Sequence, residues 1–288
     1  MMKKSLSGFI AFVLVSVAPV SVFAQLEDNL EVGISDPLTE EDIGEIQPAR
    51  EDALQSVMRI TGQVQGEYTS NAKLQGDHGN SDVLWLPTVE VGYNVPLTRQ
   101  FSLDVMAKAE TVLYSDNFGL SFYGVTAAAT LEYRHKVEYP RIYVGAEPYW
   151  YQGIESGDKL ASAVNFVIGS DQGVPFNRGR SMIFWGYRFG ASVSDPNDDA
   201  RYAHRGIVGF THQFRPLLYG QVYYSCQYSD YYNASRQDIR HVLGATLSYQ
   251  WTDGMFTSLS AGFADNESDQ DMASYQSATV GFAVTWQF

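Results

Sequence analysis

Cysteine is almost missing from this chain: Cys226 stands alone among 288 residues. A lone thiol excludes an internal disulfide, so stability has to come from backbone pairing and packing. Basic residues are scarce too, with 19 Lys and Arg against 33 Asp and Glu and a net charge of −14. That balance leaves no basic patch of the kind nucleic-acid binding needs. Past residue 24, no run approaches the roughly 20 apolar residues that a membrane helix requires. Charged residues make up only 18% of the chain. A chain this poor in charge, without a spanning helix, is either exported and soluble or crosses a membrane by strands.

The N-terminus favours export. Lys3 and Lys4 precede an apolar stretch from Gly8 to Val22, and Val22-Phe23-Ala24 closes it with modest or small side chains. This is the pattern of a secretory signal over 1–24, too short to span and followed by no stop-transfer sequence. Cleavage after Ala24 removes two lysines, which takes the charge from −14 to −16. Gln25 rather than a cysteine follows, which argues against a lipoprotein. Residues 25–55 form a second region, with ten acidic residues between Glu27 and Asp52 against Arg50 alone. High charge and few aromatics predict an acidic, flexible periplasmic segment rather than a packed unit.

From residue 56 the pattern changes. Apolar residues recur at every second position, the period of a strand with two unlike faces. Met58, Ile60, Gly62, Val64 and Tyr68 alternate with Arg59, Thr61, Gln63, Gln65 and Glu67. Phe101, Leu103, Val105, Ala107 and Ala109 alternate with Ser102, Asp104, Lys108 and Glu110. The same alternation returns about twelve times before Phe288, with shorter strands expected at 161–170 and 255–264. Short connections such as Pro96–Arg99 and Thr252-Asp253-Gly254 alternate with mostly longer polar ones such as 70–82 and 265–273. Aromatics at 14%, 25 glycines and a mean hydropathy of −0.19 agree with strands apolar on one face and polar on the other.

These features predict an all-β fold over 56–288: a transmembrane up-and-down antiparallel barrel of about 12 strands, with 10 to 14 compatible. The apolar face carries large rings towards its ends (Tyr123, Tyr133, Tyr249, Trp251, Trp286), as interfacial girdles do. The other face carries charges that a dry core cannot hold unpaired. Candidate lumen residues are Arg59, Glu67, Glu90, Asp104, Lys108 and Glu110 on the first three strands. Glu132, Arg134, Glu147, Arg188, Arg205 and Arg240 continue the set.

The chain ends V-G-F-A-V-T-W-Q-F, with Phe282, Val284, Trp286 and Phe288 at alternate positions. This ending resembles the terminal assembly signal of Gram-negative outer-membrane β-barrel proteins, in particular porin-like ones. The resemblance implies an outer-membrane location. It also implies outer-membrane lipid, lipopolysaccharide and the barrel-assembly machinery as partners. It singles out no functional family.

Three functions fit such a barrel. A passive channel for small polar solutes would use the mixed lumen charges, with Tyr143, Tyr149, Tyr151, Tyr219 and Tyr223 adding aromatic surface. The same charges could instead pair across a narrow, closed lumen. A barrel-embedded hydrolase would need a base, and the histidines are His78, His135, His204, His212 and His241. None sits in an outer-membrane phospholipase or protease motif, although His204 follows Asp198-Asp199. An adhesion or assembly role would use the longer connections, where fourteen acidic residues face Lys73, Lys159, Arg201 and Arg236. Asp265-Asn266-Glu267-Ser268-Asp269 is oxygen-rich but lacks an EF-hand's glycine and spacing, which favours a solvated loop over a calcium site. No cofactor or metal centre is expected.

Overall fold

The computed structural model describes residues 56–74, 80–136 and 138–288. The expected leader at 1–24, the acidic segment at 25–55 and His78 lie outside the described residues. Twelve antiparallel strands close into one barrel, β1 through β12, each paired with its sequence neighbours and β12 paired with β1. The strands are β1 (Val57–Thr69), β2 (Asp82–Pro96), β3 (Phe101–Tyr114), β4 (Phe122–Tyr133), β5 (Arg141–Gly153) and β6 (Lys159–Phe176). They continue as β7 (Ser181–Asp195), β8 (Tyr202–Arg215), β9 (Leu218–Tyr231), β10 (Arg236–Thr252), β11 (Met255–Ser268) and β12 (Tyr275–Gln287).

Closure leaves no sheet edge, which hydrocarbon does not tolerate. The seam pairs Thr61↔Gln287 through Thr69↔Thr279, and the last residue extends it: Phe288 N–H donates to Ile60 O at 2.9 Å, and Ile60 N–H donates to Phe288 O at 3.2 Å. Two prolines interrupt the ladder where they lack the donor. Pairing of β2 with β3 skips from Trp85↔Leu113 to Thr88↔Glu110 around Pro87. Pairing of β4 with β5 skips from Thr126↔Tyr149 to Ala129↔Ala146 around Pro148.

The apolar faces point outward as the alternation predicts. Leu243, Leu259, Val193 and Val280 are each 57–61% exposed, which in water would be an aggregation surface but suits a lipid-facing band. Rings pair near both rims of that band: Phe101 with Tyr133 at 4.9 Å and Tyr249 with Trp251 at 4.8 Å on the tight-turn side, and Tyr123 with Trp150 at 5.7 Å on the other. Both described ends of the chain lie on the side of five connections, four of them tight (97–100, 177–180, 216–217 and 253–254), which in the outer-membrane arrangement is the periplasmic side.

Two strands run longer than the sequence pattern suggests. The sixth extends to Phe176, so Gln172–Phe176 is strand rather than turn, with Val174 and Phe176 facing outward. The eleventh extends to Ser268. Residues Asp265, Asn266, Glu267 and Ser268 therefore alternate between faces, and Asn266 turns inward to donate to Ala273 O at 2.8 Å. Their oxygens cannot converge on one cation.

Candidate functional site: the barrel lumen

Four large inward aromatics find their floor space over glycines of a neighbouring strand. Tyr151 lies opposite Gly124, Tyr143 opposite Gly169, Phe184 opposite Gly209 and Tyr223 opposite Gly244. A Cβ at any of these glycines would stand 2.2–2.4 Å from the ring facing it. Each ring thus covers the bare backbone of the next strand, a pairing that pins register.

On the side of the longer connections, one part of the lumen wall is packed. Leu84, Val112, Tyr114, Phe122, Tyr151 and Leu160 form a buried apolar cluster, and Ala72 and Leu74 of the first long connection fold into it. Leu120, Tyr149 and Tyr275 flank it. The connection is held by Asn71, whose side-chain amide donates to Gln276 O at 3.0 Å, and by Ala72 N–H to Asn80 O at 2.6 Å. Towards β7 to β10 the mouth is polar instead. Arg236 binds Asp238 at 2.8 Å and stacks on the Tyr231 ring at 3.9 Å, while Arg201 donates to the Tyr231 hydroxyl at 2.9 Å.

The acidic residues of the longer connections are mostly exposed, among them Asp116, Glu155, Asp158, Asp198 and Asp269, but not all are. Arg236, Asp238, Asp199 and Asp82 are buried. Asp82 ties two connections together, accepting from the backbone N–H groups of Val83, Ser115, Asp116 and Asn117. Asp199 has a buried carboxylate oxygen without a hydrogen-bond partner. Burial lifts its carboxyl to about 7, with Arg201 pulling the other way and Asp198 adding to the rise.

Below the mouth lie the candidate charges, all on the inward face. Most are paired. Arg59 meets Glu90 at 3.5 Å, and Lys108 meets Glu110 at 3.3 Å while the Tyr151 hydroxyl donates to Glu110 at 2.8 Å. Arg188 pairs with Glu147 across β6. Asp104 accepts from Asn94 at 3.1 Å. Near the periplasmic end Arg141 bridges Glu132 at 2.6 Å and Asp171 at 2.7 Å, with Arg134 in their field. Sequence reasoning missed Arg141 and Asp171 because both fell in segments read as turns. Glu67 accepts from Gln65 at 2.9 Å, but its second oxygen is buried without a partner. Arg205 and Arg240 face the lumen from β8 and β10, and the Arg240 Nε has no partner. The lumen also holds an apolar patch that alternation alone did not suggest: Met182, Phe184, Ile207, Tyr223 and Val242.

The histidines lie elsewhere. His204 shares a hydrogen bond with the Tyr187 hydroxyl at 2.7 Å on the lipid-facing side, so it faces no carboxylate of the Asp198-Asp199 connection. His241 does the same with Tyr224 at 2.7 Å, His212 with Ser181 at 2.9 Å, and His135 with Gln100 at 3.1 Å on the turn side. The hydrolase reading gains no nucleophile–base–acid set from them. Among the described residues no three His, Cys, Asp or Glu side chains are placed to hold a metal ion.

Terminal residues Phe282 and Trp286 point to lipid, and the Phe288 side chain is 81% exposed. Val284 pairs with Val64 of β1 and Thr257 of β11.

No protein-family model matches the chain, and no curated protein matches it in sequence. Solved structures do match in fold. An outer-membrane channel from Pseudomonas putida F1 superposes with a TM-score of 0.55 at 11% identity, covering 85% of this chain and 100% of that one. A bacterial polysaccharide outer-membrane secretin superposes at 0.50 and 11% identity, covering 82% and 100%. A KdgM porin lies further off, at 0.47 and 11%, covering 79% and 99%. At such identity the likeness is one of fold. With its apolar exterior, the chain has the closed antiparallel β-barrel fold of those outer-membrane proteins.

Proposed function

We propose that this barrel is a passive channel for small polar solutes. The observation that carries the reading is the lumen below the mouth. Arg59, Glu90, Lys108, Glu110, Glu147 and Arg188 are 12–21% exposed on the inside of a closed wall, so water reaches them. A barrel kept only as a scaffold would gain stability by filling that space with apolar side chains. Paired charges of both signs hold water without strong selectivity for small ions. The apolar cluster at the mouth is then a gate: conduction requires Ala72 and Leu74 to leave it.

Planar lipid bilayers test this. The refolded protein is expected to give discrete ohmic openings with a low open probability. A protein that inserts, shown by its heat-modifiable mobility on gels, yet stays silent under voltage and with the gate released by Leu74→Asp would sink the channel reading.

A further inference from the structure

Register reveals what spacing along the chain conceals. Arg188 lies directly across from Arg205, Arg205 across from Gln227, and Gln227 across from Arg240. The row continues through Asn266 to Tyr275 at the mouth, and in the other direction through Gly169 to Tyr143. Arg141 lies over the Tyr143 ring at 5.2 Å, near the periplasmic end. All these positions share the inward face. Because barrel strands tilt by roughly 35–45°, a row perpendicular to them climbs the wall as a spiral from periplasmic side to mouth.

The row breaks a local rule. Like charges directly opposite on neighbouring strands destabilise a sheet, yet Arg188 and Arg205 sit so. Glu147 answers Arg188. The buried Nε of Arg240 has no partner. Tyr223 of β9 is buried on the same inward face, on the strand between those of Arg205 and Arg240, and the Gln227 amide donates along the same wall to Ser229 at 3.1 Å. Neighbouring strands stand about 4.8 Å apart, so Arg205 and Arg240, two strands apart, present guanidinium groups on the order of 10 Å from each other. Planar guanidinium forks match carboxylate and phosphate oxygens. Local departures of this kind concentrate at functional sites.

We infer that Arg188, Arg205 and Arg240 form a binding track for an elongated solute bearing two or more carboxylate or phosphate groups. The inference rests on the channel reading for its transport role, but the site itself is testable without conduction. Detergent-folded protein is titrated calorimetrically with tri-L-glutamate, with inorganic tripolyphosphate and with neutral maltotriose. Binding of either anion, weakening with salt, is expected, and which one binds tighter separates carboxylate from phosphate recognition. In Arg205→Gln/Arg240→Gln the affinity should fall about tenfold or more. Arg205→Lys/Arg240→Lys should retain part of it, and Arg99→Gln in a tight turn should change nothing. If the double variant does not fold, Arg240→Gln alone carries the comparison. Absence of anion binding, equal affinity in wild type and glutamine variants, or equal affinity for maltotriose overturns the track. Binding without conductance leaves the track standing and removes the channel. Conductance with none of these affinity changes does the reverse.

Discussion

Asp199 shows how burial turns a loop residue into a pH-dependent one. Its folded-state carboxyl titrates near 7 because burial disfavours the anion. The unfolded chain gives up the same proton near pH 4. Between those values the folded loop holds a proton that the unfolded chain has lost, so the loop's stability falls as pH rises from about 4 to about 7 and levels off above. Asp199→Asn keeps the shape and removes the charge. Protease nicking of residues 196–201 should become easier with rising pH in the wild type and stay flat in the variant; parallel profiles would show that another group is responsible. At this scale the sequence offered an acidic connection, and it could not say that Asp82, Asp199 and Asp238 turn inward. A short polar residue at a strand end can point either way, and only neighbours such as the Ser115–Asn117 backbone decide.

On the proposed channel reading, the element that controls access is the first long connection. Leu74 is 4% exposed among Leu84, Phe122 and Tyr151. Leu74→Asp places a charge in that cluster at a cost that an uncovered mouth avoids. The expected outcome is a higher open probability in planar bilayers with barrel assembly unchanged. Equal conductance would mean that the constriction lies lower, at the ion pairs. The chain pattern did not disclose this plug. Apolar inward residues such as Leu84, Val112 and Phe122 sit opposite equally apolar outward ones, so alternation blurs where strands meet the mouth. Strand six was shortened in the sequence reading for a similar reason: Gly173 and Pro175 read as turn residues, although Pro175 keeps its place in the ladder opposite Met182.

For the whole molecule the decisive quantity is what surrounds it. Leu243 is 59% exposed in the middle of β10. In a lipid-embedded barrel Leu243→Arg should cost about 2–4 kcal/mol, read as a shift in the denaturant midpoint in lipid vesicles. No shift would mean that this face does not meet hydrocarbon. Phe288 tests assembly in a different way. Its side chain is largely exposed while its backbone closes the seam with Ile60. Phe288→Ala should therefore leave refolding in detergent nearly unchanged and lower the yield in the outer membrane of cells. Loss of both would make it a structural residue rather than an assembly signal.

The amino-acid order alone placed the strand count at about twelve and separated an apolar face from a polar one, because a period of two leaves each residue one of only two sides. Tertiary structure decided everything that depends on neighbours from other strands: the ion pairs, the packed mouth, the rings lying over glycines and the spiral of arginines. Arg188, Arg205 and Arg240 are far apart along the chain, and only the register of four strands sets them in one row. Pairing register belongs to neighbouring strands and the connections that join them, and no single strand carries it.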